Sequence, residues 1–321
     1  MNFRVVIAAS DPEFPDYSNE KQILESISAS LEARICNTVS EVVAFCKDAH
    51  AIITNHSPFT KEVIDQLEQC KVIVRYGIGY DNVDIAAAAV RNIPVVNIPD
   101  YGIQEVADHT FTLLLSTVRK IPTMDRNVRK GDWQIDALRP IVGLHNKVLG
   151  LAGFGNISRE VANRAKGFNL QLIAYDPYVP DEVFQQMGVR KVDFNTLLSE
   201  SDFISSHLPL NKATEHIFNR EAFERMKRTA FLVNTSRGGV VHTSDLVWAL
   251  ENRVIAGVGL DVYEEEPLPV DHPLLALEQC VLSGHAAWYS EDSIVRLQQY
   301  AALEVKRVLS GERPKHVVNG V

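Results

Sequence analysis

Long apolar runs are missing from this chain of 321 residues. No stretch approaches the ~18 residues that a membrane-crossing helix needs, so a helical membrane protein is excluded. Cysteine is scarce: the four are Cys36, Cys46, Cys70 and Cys280. Their spacing matches neither a metal knuckle nor a Cys-x-x-Cys redox pair, so they read as small apolar residues in a reducing compartment. Basic charge is also short, with Lys plus Arg at 32 against Asp plus Glu at 41 and a net charge of −9. No basic block or stripe stands out, which argues against nucleic-acid binding. A small anionic ligand stays open, because a few arginines can dominate one pocket. The 17 Gly and 14 Pro follow no period, which excludes collagen-like and low-complexity chains. The opening segment, MNFRVVIAAS, has too short an apolar run for a leader peptide and continues into acidic, Pro-containing sequence. A cytoplasmic protein without a membrane partner is expected.

With 46% hydrophobic residues, the chain can bury a large core, and its length favours two domains. Short β-branched runs alternate with amphipathic segments, as in a parallel α/β sheet. Strands are predicted at Arg4–Ala9, Ala33–Cys36, Ala51–Thr54, Val72–Arg75 and Pro94–Asn97, with helices such as Glu20–Leu31 and Asn82–Arg91 between them. A break at Ile98–Gly102 precedes a long helix, Val106–Lys120. The rhythm then resumes with strands at Val148–Ala152, Gln171–Tyr175, Phe203–Ser205, Ala230–Asn234, Ile255–Leu260 and Cys280–Leu282. A last helix starts after Ser290, a plausible N-cap, and ends before Gly311. The tail, Pro314–Val321, is too short for a domain and is expected to pack on the first one. The expected architecture is α/β with two doubly wound parallel-sheet domains. One is a discontinuous flavodoxin-like substrate domain (1–100 plus 290–321), the other a Rossmann domain for the cofactor (101–289). The ligand site is expected in a cleft between them.

A buried strand runs into Gly153-Phe154-Gly155-Asn156-Ile157-Ser158, and a helix follows. Gly153 permits a tight turn, and Gly155 lets the backbone approach a pyrophosphate at the helix N-terminus. The third glycine of the dinucleotide fingerprint is replaced by Ser158, small enough for close packing. The next strand ends at Asp176, about 20 residues on, where a carboxylate can accept from ribose hydroxyls. Asp176 would repel a 2′-phosphate, so NAD is favoured over NADP. The plain alternative is an ordinary strand-helix turn with a surface Asp.

Each later strand ends in residues with chemical capacity: His207-Leu208-Pro209, Thr235-Ser236-Arg237-Gly238-Gly239, Asp261 with Glu264-Glu265-Glu266, and His285 with Trp288. Ligands of open α/β sheets bind outside these carboxyl ends. Arg237 offers a planar fork to a carboxylate and can polarise a carbonyl. His285 can pass a proton near neutral pH, and a Glu beside it would favour the imidazolium. With a nicotinamide at the glycine turn, the reaction class is hydride transfer to or from a 2-oxo or 2-hydroxy acid. Bland readings stand beside these. The acidic run is ordinarily a solvated loop, Asp261 caps a turn or binds the nicotinamide amide, and Trp288 fills the core or walls a substrate pocket.

These residues resemble the D-isomer-specific 2-hydroxyacid dehydrogenases. The resemblance rests on Arg75–Asn82, Val106–Thr110, the glycine turn, Tyr175-Asp176-Pro177, Asn234–Gly239 and Asp261–Pro267. His285–Ser290 is most similar to the C-terminal-binding-protein branch. By position, the resemblance implies that Arg237, Glu266 and His285 are catalytic. It implies a substrate loop at Arg75, Tyr76, Gly77, Ile78 and Gly79, where Arg75 and backbone N–H groups would hold the acid's oxygens; Arg237, His285 and Trp288 are also expected to face substrate. Implied cofactor contacts are Thr110, Phe154, Gly155, Asn156, Ile157, Asp176, His207, Leu208, Pro209, Thr214, Thr235, Ser236, Arg237, Asp261 and His285, with no metal. A homodimer through the cofactor domain, with the Val106–Lys120 helix contributing, is also implied. Two departures stand out: Ser158 for the third Gly, and Ser283-Gly284 where Thr-Pro is common. The expected function is an NAD-dependent 2-hydroxyacid dehydrogenase working as a 2-oxo acid reductase. The alternatives are an NAD(H)-sensing scaffold like the C-terminal-binding proteins and a short-form phosphoglycerate dehydrogenase.

Overall fold

The computed structural model describes residues 3–9, 14 and 16–321. Met1, Asn2 and Ser10 of the segment read against a leader peptide lie outside the described residues, as do most of the acidic, Pro-containing residues after it. The chain divides into two compact units, Met1–Gly102 with Tyr289–Val321, and Ile103–Trp288.

The smaller unit holds a parallel sheet of β1 (Phe3–Ala9), β2 (Ala29–Ile35), β3 (Ala51–Thr54), β4 (Ile73–Arg75) and β5 (Val95–Val96). The strand order is β2-β1-β3-β4-β5, the flavodoxin-like winding. β3 is buried throughout and β1 nearly so, as expected of parallel strands covered on both faces. One expectation needs correction. The helix predicted over Glu20–Leu31 spans only Ser18–Glu25, and β2 starts at Ala29, four residues before the predicted Ala33. Ser28 turns the chain with φ +55°, and Ala29 then pairs with Phe3. Ile23, Ile27 and Leu31 keep a helical spacing of four, so local pattern favours helix. Pairing with β1 overrides it, and this is a polar edge strand with little alternation to betray it.

The helix Glu291–Leu309 closes this unit. Ser290 Oγ accepts from Ser293 N at 2.9 Å and Ser293 Oγ accepts from Ser290 N at 2.8 Å, a reciprocal cap. Gly311, at φ +85°, ends the helix in the left-handed region. The tail returns to β5: Val318 N donates to Val95 O, and Asn319 bonds both Val95 N and Ile93 O. Those bonds cover an edge that would otherwise be unpaired.

The larger unit holds β6 (Val148–Ala152), β7 (Gln171–Tyr175), β8 (Arg190–Lys191), β9 (Phe203–Ser206), β10 (Phe231–Asn234), β11 (Gly257–Leu260) and β12 (Cys280–Leu282). All are parallel, in the order β12-β11-β10-β9-β6-β7-β8. This is the Rossmann winding with one added strand, and its order reverses between β6 and β9. β8 was not predicted, because two exposed basic residues carry no strand pattern. The helix predicted at Val106–Lys120 spans Ile103–Val118 and buries Val106, Ala107, Thr110, Phe111, Leu113, Leu114, Thr117 and Val118 along one stripe. Lys120, at φ +54°, breaks it, and an unpredicted second helix, Ile121–Arg129, follows with no buried residue. Among the described residues, no helix is long and apolar enough to cross a membrane. Cys36 and Cys46 are buried and Cys70 and Cys280 half-buried, all as free thiols whose pKa values burial pushes up.

Candidate active site

Because the strands of the larger unit are parallel, their carboxyl ends lie along one edge, and every predicted cofactor or catalytic loop leaves from that edge. At the switch between β6 and β9, Gly153 turns with φ +88°. A Cβ there would sit 2.8 Å from His207 O, so the turn can press against the loop after β9 only as glycine. His207 N closes the contact on Ala152 O at 2.7 Å. The imidazole bonds Ser205 Oγ at 2.9 Å, and burial pushes its pKa down to about 3, so it is neutral. Leu208 is buried, while Thr214 donates to Pro209 O and accepts from Asn211 N within the exposed part of the same loop.

Gly155 caps the helix Asn156–Lys166 without offering a side chain, and a Cβ on it would meet nothing within 4 Å. The first-turn N–H groups of a helix lack intrahelical partners, the condition for holding an anion, and nothing crowds the Gly155 Cβ position. Ser158, in the place of the third glycine, is fully buried on this helix, and its hydroxyl has no hydrogen-bond partner among the described residues. It therefore acts as a small packing residue. Phe154, expected among the cofactor contacts, has its side chain in the core. Its ring is buried and stacked on Phe184, its N donates to Asp176 and its O accepts from Arg159. Asp176 braces the turn through that 2.9 Å bond, while its other oxygen accepts from Tyr178 N and Val179 N. A carboxylate can accept further bonds, so ribose hydroxyls remain within its capacity.

The loop after β10 is organised by Asn234. Its amide donates to Arg237 O and accepts from Ser236 N and Ser236 Oγ. Thr235 Oγ1 lies 2.7 Å from Thr110 Oγ1 on the helix Ile103–Val118. Gly238 then touches the loop after β11: a Cβ would fall 1.8 Å from Tyr263 O and 2.5 Å from Glu264 N. Only glycine lets these two backbones meet. Within the second loop the three glutamates separate. Glu264 bonds His216 and caps the helix Thr243–Glu251 through Thr243 N. Glu266 Oε1 accepts from Tyr263 N at 2.8 Å, and its Oε2 lies 2.7 Å from His285 Nδ1. Burial pushes the Glu266 pKa up, but the His285 and Tyr263 bonds and the His285 and Arg237 charges more than offset it. The net shift is downward. Arg237, Glu266 and His285 are thus brought into one electrostatic neighbourhood. His285 itself has φ +53°, a region that non-glycine residues seldom occupy.

Asp261 is almost wholly buried, and its carboxylate accepts from Ser283 Oγ, Ala286 N and Ala287 N. Its main-chain oxygen accepts from His285 N at 2.7 Å. Of the two readings of Asp261, this geometry displays the turn cap. Trp288 likewise serves the loop, donating from Nε1 to His285 O at 2.9 Å. Two residues outside the predicted site join in. Tyr263 Oη donates to Ser283 O, with burial pushing its pKa up to about 12. His109 Nε2 lies 2.8 Å from Ser283 Oγ. Only the proximity of His109 to Thr110 in the Val106–Thr110 motif hinted at it.

The predicted substrate loop lies in the smaller unit, after β4. Gly77, at φ +108°, leaves room for Arg75, whose guanidinium bonds Tyr76 O. The Tyr76 ring is buried and its Oη bonds Glu20; the contacts expected of this loop are those of Arg75 and main-chain N–H groups. Among the described residues, no cluster of His, Cys, Asp or Glu could hold a metal ion.

A family model described as D-isomer specific 2-hydroxyacid dehydrogenase, NAD binding domain, matches residues 111–287. The chain is 39% identical over 283 residues to a glyoxylate reductase of Korarchaeum cryptofilum, covering 87% of this chain and 85% of that protein. It is 38% identical over 317 residues to a D-3-phosphoglycerate dehydrogenase of Methanocaldococcus jannaschii, covering 98% of this chain but only 59% of that longer protein. A solved NADPH-dependent glyoxylate/hydroxypyruvate reductase from Sinorhizobium meliloti, in complex with NADP and malonate, superposes with a TM-score of 0.87. It shares 25% identity, over 99% of this chain and 97% of that one.

Proposed function

The chain belongs to the D-isomer-specific 2-hydroxyacid dehydrogenase family of oxidoreductases acting on CH–OH groups, and from that premise we propose that it is an NADH-dependent reductase of a small 2-oxo acid. The observation that carries the reading is the 2.7 Å bond between His285 Nδ1 and Glu266 Oε2, with Arg237 acting on the same carboxylate.

A nicotinamide dinucleotide, when bound, supplies the hydride. The open first turn after Gly155 would hold its pyrophosphate through the N–H groups of Asn156 and Ile157. Asp176 would accept from the adenosine ribose and repel a 2′-phosphate, which favours NAD(H) although the Sinorhizobium relative uses NADPH. Arg237 orients the substrate carboxylate and polarises its 2-oxo group. His285 presents Nε2 to the substrate while Glu266 holds Nδ1, so Nε2 gives its proton to the developing alkoxide, and takes one back in the reverse direction. Glu266 stays ionised throughout, because its pKa is held down. Arg75 and the Tyr76–Gly79 backbone are assigned to the acid's oxygens.

A homodimer through the larger unit and a cytoplasmic location complete the proposal. Trp133 and Ile135, 78% and 62% exposed after the Ile121–Arg129 helix, support a covered surface there. A second reading, a phosphoglycerate dehydrogenase, is favoured by the Methanocaldococcus relative. The relatives bear the names of reductases and dehydrogenases, so the enzyme reading is preferred to the scaffold.

The test is NADH oxidation across glyoxylate, hydroxypyruvate and longer 2-oxo acids, with 3-phosphoglycerate and NAD in the reverse direction. Turnover of at least one 2-oxo acid is expected. Turnover confined to 3-phosphoglycerate selects the second reading. Bound NADH with no turnover anywhere selects the scaffold.

A further inference from the structure

We propose that His109 and Ser283 are positioning residues that hold the His285 loop in register with the Arg237 loop; this rests on the reading of His285 as proton donor. Ser283 Oγ has one proton and two close partners, Asp261 Oδ1 at 2.6 Å and His109 Nε2 at 2.8 Å. A carboxylate only accepts, so the hydroxyl proton goes to Asp261; the other acceptor in range, Leu260 O, is 3.5 Å away. The 2.6 Å separation fits an O–H bond to a charged oxygen. Ser283 Oγ is then the acceptor for His109, which fixes the tautomer: Nε2 carries the hydrogen. The chain runs from His109 Nε2–H to Ser283 Oγ–H to Asp261 Oδ1.

The far end of that chain is the clamp on His285. The Asp261 carboxylate takes Ala286 N and Ala287 N, and its main-chain oxygen takes His285 N, which keeps His285 at φ +53°. Asp261 is 1% exposed, so a carboxylate short of one donor there would be costly, and the loop is the part able to move.

His109 adjoins Thr110 on the helix Ile103–Val118, and Thr110 bonds Thr235 in the Arg237 loop. Adjacent residues of one helix therefore tie both catalytic loops, and the helix acts as a ruler between guanidinium and imidazole. The Ser283-Gly284 departure keeps the hydroxyl that the clamp requires.

The experiment compares Ser283→Ala, Ser283→Thr, His109→Phe and His109→Gln, each alone, with Ser283→Ala also combined with His285→Ala. Ser283→Ala and His109→Phe are expected to lower kcat by about 10- to 100-fold with NADH affinity within about two-fold. Without cofactor, hydrogen exchange should quicken at the amides of Ala286 and Ala287. Ser283→Thr keeps a hydroxyl and His109→Gln keeps a donor, so both should recover most of the loss. In the double variant, Ser283→Ala should add nothing to His285→Ala. Wild-type kcat and exchange in Ser283→Ala, or a Ser283→Thr as impaired as Ser283→Ala, would overturn the clamp. If His285→Ala keeps wild-type turnover, the proton-donor reading fails instead.

Discussion

The loops after β4 and after β12 leave the carboxyl edges of two parallel sheets, yet they are held by different means. In the smaller unit, the Arg75–Gly79 loop is fixed mostly through main-chain atoms. Tyr76 N donates to Thr54 O, Ile98 N to Gly77 O, and Asn97 Nδ2 to Ile78 O. In the larger unit, the Ser283–Ala287 loop hangs on side chains: Asp261, Tyr263, Trp288 and, through the Ser283 hydroxyl, His109. On the function proposed above, the difference has a reason: a loop that recognises an acid through backbone and one guanidinium needs only a fixed main chain. A loop that moves a proton must also aim one imidazole, and aiming it takes directional bonds from several elements.

The comparison is broken most severely at its ends. His285→Ala should lower kcat by about 10²- to 10⁴-fold while NADH binding stays within about two-fold. Arg75→Ala should act chiefly on the KM for the 2-oxo acid. Equal effects on kcat would erase the distinction between recognition and proton transfer. Next comes Gly238→Ala, which forces a methyl into Tyr263 O and should cost about 3 kcal/mol of stability, seen as a fall in Tm. A Tm equal to wild type would show that the two loops are not in backbone contact.

Asp176→Ala should narrow the preference for NADH over NADPH by about ten-fold, since a repulsive carboxylate is removed. An unchanged ratio would leave Asp176 only its bonds to Phe154, Tyr178 and Val179. The smallest effect concerns acid. The Glu266 pKa is lowered on folding, so its bonds contribute fully above the ordinary glutamate value and are lost as pH falls through the lowered one. Glu266 is partly solvated, which limits the contribution to about 1 kcal/mol or less. The Tm gap between wild type and Glu266→Gln should therefore close as pH drops below about 4. A gap that persists would assign the difference to packing.

Much of this was legible beforehand. Strand-helix alternation and the glycine turn give the α/β class, because burial of parallel strands and a tight strand-to-helix turn leave marks in contiguous residues. Arg237, Glu266 and His285 were reached by strand-end position together with family resemblance. The edge strand β2 and the two-residue β8 were not legible in full, since partner strands define them and their own polar residues do not. Phe154 and Tyr76 stood in the right motifs, but which way their rings turn depends on Phe184 and Glu20, elements away.

The amino-acid order alone therefore marked most of the elements through local periodicity, and together with the family resemblance it pointed to the reaction class and to the three residues proposed for it. Only the tertiary structure decided that Asp261 anchors a loop, that Gly238 lets two backbones touch and that His109 reaches Ser283. Those depend on distances between residues far apart in the chain, which packing sets and no local pattern encodes.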